Sequence, residues 1–193
     1  MTSSAPGFLP NSAQPSTSRS HTLLRAWLPV LLCAAIFALE STAAFGADRT
    51  SAPLHSLCQS LFGTALDQNW SDLHHFLRKT GHFLGYGAFS LVSFRAFWFT
   101  FRNQFAEFKG SLQFSLACHT FAVTAAALVA SADEFHQTFL PNRTGTLTDV
   151  LLDTTGAFTL QLALFLLLRL HATRQSSALA SKNQPTSHLS LAA

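Results

Sequence analysis

Four long apolar stretches, each ended by a polar connection, set the pattern of the chain: LLRAWLPVLLCAAIFALESTAAF (23–45), HFLRKTGHFLGYGAFSLVSFRAFWFTF (75–101), LQFSLACHTFAVTAAALVASADEF (112–135) and LTDVLLDTTGAFTLQLALFLLLRL (147–170). Each can supply the roughly 20 residues that a helix needs to cross a bilayer. None alternates apolar and polar positions with a period of two, so helices are expected rather than a barrel. The predicted fold is all-α, an integral membrane four-helix bundle over residues 23–170. Residues 1–22 and 171–193 are rich in Ser, Ala and Thr without helical periodicity and are expected to be disordered tails. The connection from Asp48 to Asp72 reads as a long loop.

Composition agrees with this reading. The chain is 48% hydrophobic and only 11% charged, whereas soluble domains carry about 25% charged residues. The net charge of +3 is spread along the sequence with no arginine-rich stripe, so no nucleic-acid partner is expected. Cys33, Cys58 and Cys118 follow no ligand spacing, and neither a disulfide framework nor a zinc site is predicted. Eight of the lysines and arginines (Arg19, Arg25, Arg95, Arg102, Lys109, Arg169, Arg174, Lys182) flank one side of the four spans, and four (Arg49, Arg78, Lys79, Arg143) flank the other. The positive-inside rule then places both termini in the cytoplasm. Arg19, Arg25 and the AFGA before Asp48 also fit a secretory signal with its cleavage site, the alternative for the first segment.

With that topology, polar residues collect at the outward end of every span. Glu40, Ser41 and Thr42 end the first. Lys79, His82 and Tyr86 open the second at spacings that put them on one helical face. Glu134 and Gln137, three apart, end the third, and Asp149 and Asp153, one turn apart, open the fourth after a short loop carrying Arg143. Charges inside an apolar bundle are costly, so such residues face its interior and pair with one another or line a cavity. The expected ligand-binding set is Lys79, His82, Tyr86, Glu134, Gln137, Arg143 and Asp149. The Arg143 guanidinium suits a phosphate or carboxylate, or caps an acidic neighbour. No HExxH or GxSxG pattern is present, and no metal or cofactor is expected. His119 reads as a hydrogen-bonded packing histidine, the loop threonines as helix caps, and TAAALVASA together with Gly81, Gly85 and Gly87 as places of close helix approach.

RKTGHFLGYGAF followed by SADEFHQTFLPNRTGTLTDVLLDTTG resembles the VanZ-like family of small bacterial membrane proteins. The resemblance rests on Lys79-x-x-His82 with Tyr86, then Glu134-x-x-Gln137, Arg143, Asp149-Val150 and Gly156. IFALEST matches the family's first span, which argues against signal cleavage. Asp153 departs from the family, which commonly has Asn there. The resemblance implies a part in the cell envelope and in low-level teicoplanin resistance, without defining a molecular activity. The partner expected is a membrane lipid or a lipid-linked envelope precursor, whose headgroup enters an outward polar pocket. Two alternatives stand: a structural or partner subunit of a membrane complex, and a membrane-embedded hydrolase or transferase with His82 or Glu134 as general base.

Overall fold

A computed structural model describes residues 16–102, 104–141 and 143–182. The elements are α1 (Ser16–Glu40), a 3-10 turn (Ala43–Phe45), α2 (Ala47–Phe62), a 3-10 segment (Gly63–Asn69), α3 (Trp70–Phe101), α4 (Leu112–Gln137) and α5 (Leu147–Lys182). No strand occurs among the described residues. The four long helices run alternately up and down, and α3 packs against α1, α4 and α5. The chain expected as a tail beyond residue 170 continues as exposed helix to Lys182; residues 1–15 and 183–193 lie outside the described residues.

Three of the long helices, α1 over Ser20–Glu40, α4 and α5, are long and apolar enough to cross a membrane. Helix α3 is less apolar for a physical reason. It is the central element, and Tyr86, Gly87, Ser90 and Ser93 on its buried face meet other helices. A helix shielded from lipid on that face does not need the hydropathy of one exposed all round. Lipid-facing leucines are instead plentiful on α1 and α5, where Leu28, Leu31, Leu32, Leu39, Leu162, Leu166 and Leu167 are exposed.

Small side chains allow the helices to close on one another. Ala122, Ala126 and Ala130, four apart on α4, are fully buried, the first beside Phe94 and the other two beside Tyr86, Phe89 and Ala157. The expected close approach occurs at Gly87 but not at Gly81. Gly81 has open space where a Cβ would stand, and Gly85 faces only the Phe37 ring at 3.5 Å. The tight crossing lies on another face of α3, where a Cβ on Gly87 would press on Leu160 and one on Gly156 would overlap the Phe83 carbonyl. The Gly-x-x-x-Gly spacing marks a groove, and Gly87 with Gly156 makes the contact.

The loop expected over 48–72 is largely helical. Leu54, Leu57, Cys58 and Leu61 give α2 an apolar stripe at helical spacing. Gly63, at φ 65°, ends the helix in a conformation that favours glycine. The following segment folds back on it: Asp67 accepts hydrogen bonds from Gln59 at 3.0 Å and lies 2.8 Å from His55 Nε2, and Trp70 donates to Ser51 at 2.8 Å. The bonds from Gln59 and His55 hold the Asp67 carboxyl below its usual range. In sequence, Pro53 stands inside the helix just before this stripe and masks it.

The glycine crossing leads to a prediction. Gly156→Ala forces backbone apart between α3 and α5 and should lower stability by about 1–3 kcal/mol, outweighing the ~1 kcal/mol gained in helix propensity. Gly81→Ala, with no neighbour to strike, should leave the melting temperature in detergent unchanged or slightly raised. Equal effects of the two substitutions would contradict this packing.

Candidate functional site

Helix direction brings the C-terminal ends of α1 and α4 together with the N-terminal ends of α3 and α5, and α2 lies at this end of the bundle. The seven residues expected from sequence meet here, but they divide between different tasks.

Lys79 and Asp149 form an ion pair between α3 and α5, and both side chains are about a third exposed or less. One turn deeper His82 Nδ1 lies 3.5 Å from Asp153 Oδ2, with Asp153 only 1% exposed. Glu134, 5% exposed, accepts the backbone N–H of Thr146 at 2.9 Å. Thr146 Oγ1 in turn accepts from the backbone of Asp149 at 3.2 Å, so Glu134 and Thr146 together satisfy the first amides of α5. A carboxylate at a helix N-terminus is also favoured by the helix dipole. The chain can reach this position only because of Gly145, where a Cβ would overlap the Glu134 carbonyl. Gln137 is buried beside Glu134 on the same face of α4.

Arg143 also serves the fold. Its Nη2 donates to the carbonyls of Glu40 at 2.8 Å and Thr42 at 2.9 Å. A cation on the last carbonyls of α1 satisfies groups the helix leaves open and complements the negative end of its dipole. Ser41 Oγ, 2.8 Å from His136 Nδ1, ties the same end of α1 to α4. Of the two cations expected to hold an anion, one is therefore paired with Asp149 and the other is turned toward main-chain oxygen.

Beside this network lies a cleft of about 370 Å³ between α1 and α3, closed at the back by α4. His82 and Tyr86 line it, with Gly81, Gly85 and Ala88 from the same helix. Helix α1 contributes Cys33, Ile36, Phe37 and Glu40, and Phe45, Thr50 and Arg78 stand at its α2 end. The open side is marked by Ile36, Gly81 and Ala88, all exposed. Phe37 stacks on Tyr86 with ring centres 4.4 Å apart and separates this cleft from a second cavity of about 410 Å³ between α1 and α4. Asp133 lines both. Its Oδ2 accepts from Tyr86 at 3.2 Å, while its Oδ1 is buried without a hydrogen-bond partner.

Asp133 and Arg78 were absent from the expected set. Arg78 counted only as a topology charge. Asp133 precedes Glu134, and a step of one residue turns about 100° around a helix, so it faces α1 while Glu134 faces α5. The signal available was the α4 stripe Val129, Asp133, His136, which runs beside the stripe Ala130, Glu134, Gln137. Asp153, expected in the polar layer but not in the ligand-binding set, is the most deeply buried carboxylate among the described residues.

The ion pair can be tested directly. Lys79→Met alone should cost about 1–3 kcal/mol, because it leaves Asp149 without its partner in a partly buried place. Lys79→Met with Asp149→Asn should recover most of that loss. Losses that simply add in the double variant would show that the two side chains do not act as a pair.

A family model described as VanZ/LLP1 matches residues 15–169, which takes in α1 to α4, α5 as far as Arg169, and every residue of the cleft. No curated protein and no solved structure matches the chain. Over that span, with membrane-length apolar helices and the Lys79, Glu134 and Arg143 network at one end, the chain belongs to the VanZ/LLP1 family of membrane proteins.

Proposed function

We propose that the protein binds the headgroup of a membrane lipid or lipid-linked envelope precursor in the cleft between α1 and α3, from the outward side of a bacterial inner membrane. The observation that carries this reading is the division of the cleft along its length. Glu40, Arg78 and His82 lie toward the α2 end, whereas Cys33, Ile36, Gly85 and Ala88 continue between the helices on a side open to the bundle surface. Polar groups at one end and apolar groups below match a ligand with a charged head and an acyl chain. The cleft volume also falls within the ~300–1,000 Å³ of small-molecule sites. The outward orientation rests on the eight-to-four division of lysines and arginines. By holding such a headgroup the protein modulates the envelope, and through it the response to teicoplanin. Of the seven residues expected to bind, His82 and Tyr86 touch the ligand, while Lys79, Glu134, Gln137, Arg143 and Asp149 hold the wall behind it.

A hydrolytic reading has one observation in its favour: His82 faces the cleft with the Asp153 carboxylate behind it, the arrangement of a base and the group that orients it.

Gly81→Trp adds an indole to the lining of the cleft at a position where a Cβ meets nothing within 4 Å. Purified wild-type protein should melt at a higher temperature when phospholipid is added to the detergent, and Gly81→Trp, folded and equally helical, should lose most of that shift. An undiminished shift would rule out this cleft. Phosphorus released from lipid in the wild-type samples and not in His82→Ala would support hydrolysis, and its absence there would leave binding alone.

A further inference from the structure

The charges of the cleft, rather than its shape, choose between the ligands named above, and this inference rests on that binding reading. The lining holds two carboxylates, Glu40 and Asp133, against one guanidinium, Arg78, with His82 between. Asp153 adds a third acid behind His82. Lys79 is engaged with Asp149 and Arg143 with the carbonyls of α1, and Arg78 itself donates to the Phe45 carbonyl at 3.1 Å and to Thr50 Oγ1 at 3.4 Å at the rim of the cleft. A lipid diphosphate, or any headgroup with only negative charge, would meet an excess of its own sign in a low-dielectric site.

A second and independent feature points the same way. Asp133 Oδ1 is buried and without a partner, although Asp133 forms part of the cleft wall and its other oxygen is held by Tyr86. A buried carboxylate oxygen is costly unless a donor meets it, and a charged donor meets it best. Beside it stand the stacked rings of Phe37 and Tyr86. Aromatic faces attract cations within about 6 Å. An acid with an open lone pair, two aromatic rings and a guanidinium near the mouth make up a receptor for an ammonium joined to a phosphate.

We propose that the cleft selects an aminophospholipid, a phosphate diester bearing a primary ammonium, with the ammonium on Asp133 and the phosphate toward Arg78. A primary ammonium has three N–H donors to offer Asp133, and a trimethylated one has none. The order expected is therefore phosphatidylethanolamine first, phosphatidylcholine second and phosphatidylglycerol last.

The test is binding of the full chain in detergent to these three lipids, with matched acyl chains, followed by ligand-dependent melting. Phosphatidylethanolamine should bind about tenfold more tightly than phosphatidylglycerol. Asp133→Asn should bring the two within about twofold, and Glu40→Gln, at an exposed position that the packing does not need, should narrow the gap. Free phosphoethanolamine should compete with the bound lipid if the headgroup alone is read; competition only by the intact lipid places part of the recognition in the acyl chains and keeps the ammonium preference. Should Asp133→Asn fail to fold, the order among the three lipids with wild-type protein still decides. Equal or tighter binding of phosphatidylglycerol, or a preference that survives in folded Asp133→Asn, overturns the inference while leaving headgroup binding intact. Binding of none of the three removes the binding reading as well.

Discussion

The polar residues of α3 must find partners inside an apolar bundle, and the rest of the structure follows from how α5 supplies them. Lys79 meets Asp149, His82 meets Asp153, and Ser90 accepts from Gln161, which in turn lies 2.5 Å from His119 of α4. On α5 these positions follow a four-residue step with Ala157 between, so they form one stripe. The two helices approach most closely at Gly87 and Gly156. A slide of either helix by one residue would unpair every rung at once. Low dielectric makes that loss expensive and the register correspondingly definite.

Helix α1 is held differently. It joins the bundle through its ends, by Arg143 and His136 at one and by Trp27, which donates to Thr100 at 3.0 Å, at the other. Between those ties Val30, Cys33, Ala34 and the ring of Phe37 pack on the core, and beside that ring the glycines of α3 leave a gap. The cleft therefore arises where a helix held at both ends crosses a helix with no side chain at Gly81 and little room lost at Gly85. Lys79 and Asp149 neutralise each other and Arg143 is turned toward carbonyls, so Glu40, Asp133, Arg78 and His82 give the cleft its own electrostatic character.

Much of this arrangement can be read in the sequence. The length and apolarity of four segments predict the bundle, because the bilayer leaves few ways to satisfy a backbone. The spacing of Lys79, His82 and Tyr86, or of Glu134 and Gln137, shows that each set shares a face. What spacing does not carry is which neighbour a face meets. Arg143 looked like a ligand for an anion and instead caps α1, because the two carbonyls that it binds lie about a hundred residues earlier in the chain. Gly81 looked like a helix contact and instead borders space, and Gly85 meets only the Phe37 ring. Asp133 was overlooked beside Glu134, since adjacent residues on a helix point to different partners. Helix α2 was read as a loop because its stripe is short and Pro53 directly precedes it.

The central claim is that a lipid headgroup occupies the space between α1 and α3 beside Phe37 and Asp133. The most direct measurement is photo-crosslinking of the full chain in bilayers, using phosphatidylethanolamine with a photoreactive group at the start of its acyl chain, followed by peptide mapping. This account predicts labels concentrated on Cys33, Ile36, Phe37 and the α3 stretch from Gly81 to Ala88. Labels spread evenly over the exposed leucines of α1 and α5, with no excess at the cleft, would contradict it.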